Sequence, residues 1–249
     1  MIRRLFLVVA VLFVGAAVVL GVEVWLALRR EYLPTDPPLE LDASFGPNEG
    51  EPLRFVVLGD STSAGIGSGG AAGAYPTLLA KRLAEDTGRR VDLTVLGISG
   101  ARTAEVLAEQ VPKVAELRPD VVFVGIGAND VTHLTPLDDI KEDMSAILAE
   151  LATTEAEIAV AGAPDMRVYA WHQPLRQITY LRGLQVSDAI EEVAHDKDVA
   201  VVELQEQTGH FFAEEPESHF SEDEFHPSAL GYKRWADAIY PVVRDLVSP

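Results

Sequence analysis

The sequence predicts an α/β fold built on a doubly wound parallel sheet of five strands, and three observations carry that reading. Five short, mostly apolar runs rich in Val, Ile and Leu recur along the chain. Each is followed by a stretch with helical character, and the two kinds alternate strictly from residue 54 to the C-terminus. Runs of this composition suit strands buried on both faces, and strict alternation calls for right-handed crossovers that lay helices on both sides of one sheet.

In order, the strands are Arg54–Leu58, Val91–Leu96, Val121–Ile126, Glu157–Ala161 and Val199–Val202. The helices between them are Tyr75–Thr87, Thr103–Leu117, Leu137–Leu151 and about Leu181–Lys197. A closing helix runs from about Ala229 to Leu246, with Ser228 placed to cap it. Pro164–Tyr180 lacks helical periodicity and, with residues 205–222, reads as loop. In such a sheet, ligands sit beyond the carboxyl ends of the strands. No internal repeat or low-complexity tract interrupts the pattern.

Ahead of this unit, Leu5–Leu28 is apolar except for Glu23. At about 1.5 Å per residue it reaches roughly 36 Å, enough to cross a hydrocarbon layer of about 30 Å. Arg3 and Arg4 flank one end and Arg29 and Arg30 the other, so the charge rule is nearly balanced. The free amino terminus and the short head favour a cytoplasmic N-terminus, with the rest of the chain extracytoplasmic. The expectation is therefore a single-pass signal-anchor over 1–30. The alternative is a cleaved signal peptide and a secreted product. Signal peptides use an apolar stretch of about 7–15 residues and a small-x-small site, and Trp25–Arg30 offers none.

Residues 31–52 carry Pro34, Pro37, Pro38, Pro47 and Pro52 among acids, which excludes a helix and reads as a semi-rigid linker. Residues 53–249 then form one domain of 197 residues. Composition limits what it can do. With 20 Lys+Arg against 39 Asp+Glu the net charge is −19, which argues against a nucleic-acid partner. Residues 1–30 hold four arginines and one glutamate, so the remainder has 16 basic and 38 acidic residues, a net of −22. That surface is repelled by anionic headgroups, so the domain is expected to stand off the membrane. Zero cysteines exclude a disulfide scaffold, a thiolate metal site and a cysteine nucleophile.

Four segments fall where a doubly wound sheet binds ligand. Gly59-Asp60-Ser61 follows the first strand and puts a serine on the turn opening toward the ligand face, where a nucleophile belongs; it is also ordinary turn chemistry. Gly65, Gly67 and Gly70 spell GxGxxG, but they begin several residues after the strand. The second strand ends at Leu96-Gly97 without the acid that holds a ribose, and no Walker lysine is present, so nucleotide binding is discounted. After the second strand, Gly100 lets a backbone N–H approach an oxyanion, or simply makes a turn. After the third, Gly127-Ala128-Asn129-Asp130 offers the Asn129 amide to an oxyanion and Asp130 to backbone donors, or caps a helix. Before the last helix, Asp223-Glu224-Phe225-His226-Pro227 lets Asp223 fix the His226 tautomer and leaves the other ring nitrogen as a base. His219 and nearby acids hint at a metal, but the run reads as a solvated acidic loop, so no metal is expected.

In this order the four segments resemble the SGNH (GDSL) hydrolase superfamily, with GDS at 59–61, Gly100, GxND at 127–130 and DxxHP at 223–227, a likeness spanning residues 54–245. The resemblance implies a flavodoxin-like three-layer α/β/α sandwich. It implies Ser61 as nucleophile, His226 as base and Asp223 as its orienting acid. The Ser61 N–H, the Gly100 N–H and the Asn129 side chain would form the oxyanion hole, and no cofactor is implied. Two positions depart from the pattern and bear on substrate fit: Val95 stands where many members carry asparagine, and Arg102 where a small or acidic residue is common. Gly-x-Ser-x-Gly is absent, since position 63 is Ser, so the α/β-hydrolase elbow is the wrong template.

The expected function is a serine esterase for carboxylic esters with short-to-medium acyl or O-acetyl groups, working through an acyl-enzyme on Ser61. Two alternatives share the fold. One is a membrane-tethered O-acyltransferase or deacetylase acting on envelope glycans; the other is a non-catalytic binding module. Trp171, in the loop after the fourth strand, and Phe212 are the expected substrate-binding aromatics for a lipid or glycan ester, with packing of loop on core as the competing role.

Overall fold

The computed structural model describes residues 2–247. Its sheet has six strands: β1 (Ala43–Phe45), β2 (Leu53–Gly59), β3 (Val91–Val95), β4 (Val121–Gly125), β5 (Glu157–Ala161) and β6 (Ala200–Val202). The order is β1-β3-β2-β4-β5-β6, with β1 antiparallel to β3 and every other pair parallel. Without β1 this is the flavodoxin-like order, whose direction of winding reverses at β2. The five expected strands are present, and the sixth is an addition from the proline-rich stretch.

Alternation along the strands builds two cores. Val56, Leu58, Val122, Val124 and Val160 face one side of the sheet, against α4 (Val111–Leu117), α6 (Leu137–Ala152) and α7 (Leu175–Asp196). Phe55, Val57, Phe123, Ala159 and Ala161 face the other, against α2 (Tyr75–Thr87), α8 (Leu204–Glu214) and α10 (Ala229–Val247). Burial on both faces is why these strands read as continuous apolar runs. Ser228 caps α10 as expected, its Oγ accepting the Gly231 N–H at 3.2 Å.

Four stretches differ from the sequence-based reading. The helix over 103–117 is broken into α3 (Thr103–Glu105), a π turn (Val106–Gln110) and α4. α7 begins at Leu175, directly after Pro174, so the end of the loop after β5 is helical. Residues 205–222 are mostly helix, in α8 and α9 (Pro216–His219), because Leu204, Thr208 and Phe212 recur at helical spacing and are buried. The fourth is the linker. It holds no helix, but it does not hang free: Leu41 is buried, and β1 pairs with β3.

α1 (Ile2–Arg29) is the one helix among the described residues long and apolar enough to cross a membrane, with mean hydropathy 3.0 over its most apolar stretch, none of it buried. Its last turns touch the rest of the chain. Glu23, the lone charge in the apolar run, is buried, and its carboxylate accepts the Leu175 N–H at the start of α7 at 2.9 Å. A carboxylate at a helix N-terminus meets unpaired N–H groups and the positive end of the dipole. α5 (Ala128–Thr132) completes the ligand end, opening directly after β4.

Candidate active site

The serine turn hangs from the end of β2. Gly59 has φ 150°, and a Cβ there would lie 2.2 Å from the Gly125 carbonyl oxygen, so only glycine fits. Its backbone is gripped from below. Buried Gln110, in the π turn, accepts the Gly59 N–H at 2.9 Å and donates to its carbonyl at 2.7 Å. Beyond Gly59 the turn closes on itself, Ala64 N–H to Asp60 O at 3.0 Å and Ile66 N–H to Ser61 O at 3.0 Å. Ser63 donates to Leu58 O at 3.2 Å and lies 2.7 Å from the Tyr75 hydroxyl, while Tyr232 donates to Ile66 O at 2.6 Å. Burial pushes the Asp60 carboxyl above its ordinary range, against the N–H and hydroxyl bonds from Thr62 and the nearby His226.

The acid–histidine loop meets this turn from the far end of the chain. His226 Nε2 lies 3.0 Å from Ser61 Oγ, and His226 Nδ1 lies 2.7 Å from Asp223 Oδ2, with all three residues buried. Asp223 Oδ1 also accepts the Ser221 hydroxyl at 2.8 Å and the N–H groups of Phe225 and His226, each at 2.9 Å. Burial works to raise the Asp223 carboxyl, but the bonds and charge from His226 and the backbone donors outweigh it and hold the group well below the usual carboxylate range. An ionised Asp223 on Nδ1 leaves Nε2 free to take the serine proton, which is the relay geometry of nucleophilic hydrolases.

Gly67, one of the glycines of the discounted GxGxxG, explains itself here. At φ 88° it lies so close to the histidine loop that a Cβ would come within 2.5 Å of Pro227 O and 3.0 Å of His226 Cβ. At this glycine the segment after Ser61 packs against the acid–histidine loop.

Asn129 stands in the first turn of α5 and lines the same cavity as Ser61 and His226. One hydrogen of its amide goes to Ala101 O at 2.9 Å, which fixes the side chain and leaves the other N–H to a ligand. Asp130 ties the neighbouring loop, accepting the Thr103 N–H and hydroxyl at 3.1 Å each. Burial raises the Asp130 carboxyl, against these same bonds. Gly100, at φ 83°, faces open space and lines a separate depression of about 390 Å³ together with Arg102 and His133. Arg102 is turned onto Glu105 at 2.5 Å.

The cavity at Ser61 has a volume of about 40 Å³ and an apolar wall of Met166, Val168, Phe212, Phe220, Phe225 and Trp235. Phe212 is thus on the wall. Trp171 is not: it stands behind, 5.6 Å from the Phe225 ring, with its indole N–H donating to the Tyr32 hydroxyl at 3.3 Å. His219 lies between Phe211 and Phe212, its Nδ1 2.9 Å from Glu215 O and its Nε2 3.5 Å from Arg234, so it serves packing. Among the described residues no cluster of three or more His, Asp or Glu is arranged to hold a metal ion. Gln110 escaped the sequence reading, although a polar residue in register with buried Val106, Val111 and Val114 was its signal.

Known proteins can be set beside this geometry. The GDSL-like esterase Rv1075c of Mycobacterium tuberculosis (strain ATCC 25618 / H37Rv) is 32% identical over 199 residues, 79% of this chain and 63% of that protein. A lipase of Streptomyces rimosus is 36% identical over 115 residues, 42% of this chain and 41% of that protein. The chain therefore spans less than two thirds of the length of these curated relatives. The crystal structure of TesA superposes with a TM-score of 0.64 at 23% identity, covering 78% of this chain and 99% of that one, a likeness of fold. Residues 57–234 match the GDSL-like Lipase/Acylhydrolase family. That match begins inside β2, just ahead of the serine turn, and ends inside α10, past the acid–histidine loop, and so the chain belongs to the GDSL-like lipase/acylhydrolase family.

Proposed function

We propose that the protein is a serine esterase that hydrolyses carboxylic esters of short acyl chains through an acyl-enzyme on Ser61. The observation that carries this reading is the continuous relay, 3.0 Å from Ser61 Oγ to His226 Nε2 and 2.7 Å from Nδ1 to Asp223. His226 takes the serine proton as Oγ attacks the ester carbonyl. The carbonyl oxygen becomes an oxyanion facing the Ser61 N–H and the free hydrogen of the Asn129 amide, which lines the same cavity. Collapse expels the alcohol, which leaves with the proton from His226. Water then repeats the sequence, with His226 as base, and releases the acid and free Ser61. Preference for a short acyl group is supported by the small size of the cavity, about 40 Å³, with Phe212, Phe220 and Phe225 in its wall.

The N-terminal helix is proposed as a retained single-pass anchor for an extracytoplasmic catalytic domain. Its exposed apolar length and the engagement of Glu23 and Arg30 with that domain support a helix that stays attached.

Hydrolysis of p-nitrophenyl acetate, butyrate, octanoate and laurate by the full-length chain in detergent micelles tests the reading, with Ser61→Ala beside it. Turnover that depends on Ser61 and falls sharply between butyrate and laurate is expected. Equal turnover by Ser61→Ala removes the mechanism, and laurate as the best substrate removes the short-acyl assignment.

A further inference from the structure

We propose that the segment from Arg30 to Leu33, the continuation of the N-terminal helix, belongs to the hydrolytic apparatus as a strap that positions the acid–histidine loop, with Arg30 as its chief positioning residue. The inference rests on the esterase reading of Ser61, His226 and Asp223.

The strap touches the loop at each residue between the acid and the base. The Leu33 N–H donates to Asp223 Oδ2 at 3.2 Å, the oxygen that also faces the His226 ring. Arg30 Nε donates to the Asp223 carbonyl at 3.3 Å, and its Nη2 pairs with the Glu224 carboxylate at 2.6 Å. Glu224 sits at φ 57°, a conformation that non-glycine residues hold only where their surroundings impose it. The Tyr32 ring packs 4.8 Å from the Phe225 ring, and its hydroxyl donates back to Ala27 O at 3.1 Å. The strap is itself held at its helical end, where Glu23 takes the Leu175 N–H.

From the domain side the same loop receives the Ala170 N–H on Glu224 O at 2.9 Å, the Trp171 ring against Phe225, the bond between His226 Nε2 and Ser61 Oγ and the close approach of Gly67, besides the loop's own bonds. The carboxylate that orients His226 is thus fixed partly by a segment nearly 200 residues away, 193 for the Arg30–Asp223 bond. Arg30 and Glu224 are partly exposed, 33% and 42%, so their pairing adds little to global stability. Its effect lies in where Asp223 and His226 sit, and small misplacements of a base are costly in rate.

The test uses the full-length chain in detergent micelles. It compares wild type, Arg30→Ala, Arg30→Lys and Glu224→Gln on p-nitrophenyl acetate, with the fraction of competent sites counted by an organophosphonate that labels Ser61. Arg30→Ala is expected to lower kcat per labelled site about tenfold with KM within about twofold and the melting temperature within about 4 °C. Arg30→Lys is expected to recover most of that loss, because it keeps the charge opposite Glu224. Should Arg30→Ala fail to fold, Glu224→Gln decides, with the same direction expected. Wild-type kcat per site in Arg30→Ala overturns the proposal. So does a loss confined to the number of competent sites and the melting temperature, which marks a merely structural contact. Turnover in Ser61→Ala is a different failure: it removes the esterase reading and leaves the strap without a reaction to serve.

Discussion

The serine turn and the acid–histidine loop contribute to one relay but are held in place by opposite means. The serine turn grows out of a central strand and is fixed by neighbours packed in the core: Gln110 on Gly59, Tyr75 at Ser63, Tyr232 on Ile66. The acid–histidine loop precedes the last helix and is fixed by its own backbone donors and, from outside the sheet, by Arg30, Tyr32 and Leu33. One half of the relay is held by the core of the fold; the other meets both the domain, through Ala170 and Trp171, and the N-terminal segment.

The largest effect comes from removing the residue that joins the two halves. His226→Gln keeps a polar side chain of similar reach but cannot cycle a proton, and a loss of about 10⁴-fold or more in kcat is expected. The measurement is burst and steady-state release of p-nitrophenol. A loss under about tenfold would mean that the serine is activated by something other than this loop.

A smaller effect isolates the serine side. Gln110→Leu fills most of the volume but takes the Gly59 N–H's side-chain acceptor away, while the Gly59 carbonyl keeps the Ile98 N–H at 3.0 Å. At about 1–3 kcal/mol for one orphaned group, a destabilisation of roughly 1–3 kcal/mol is expected in urea unfolding. A change under about 1 kcal/mol would place the support of the serine turn elsewhere and weaken the contrast between the two loops.

The same contrast explains what could be read from the sequence. Glu157–Ala161 is a strand at the expected residues, and Leu137–Ala152 and Ala229–Val247 extend the expected helices by one residue each, because their apolar patterns are local. Ser61, Asn129, Asp223 and His226 were legible because each lies in a short motif at a strand end or before a helix. What escaped depends on distant partners. Ala43–Phe45 is a strand only because Val91–Leu93 offers it an edge. Trp171 was expected to line the cavity, but its indole answers to Tyr32, 139 residues away. α8 is a different case: its helical period was present, and the density of acids around Phe211 and Phe212 concealed it.

The smallest effect is the one that most sharply separates the two loops, because their buried carboxyl groups shift in opposite directions. Asp60, on the serine turn, is raised chiefly by burial. Its contribution to stability is full below the ordinary carboxyl range and is lost as pH rises through its folded value. Asp223 is lowered, since burial is outweighed by the bonds and charge of His226 and the backbone donors. Its contribution is full above the ordinary value of about 4 and is lost as pH falls through its own folded value. Asp60→Asn should therefore gain on wild type in urea unfolding as pH rises from about 4 to about 7. Asp223→Asn should fall furthest behind near neutrality and close the gap as pH drops below about 4. Two variants whose differences from wild type run parallel with pH would mean that the two carboxylates share one kind of environment, and that the hydrogen bonds and charge of His226 do not outweigh burial at Asp223.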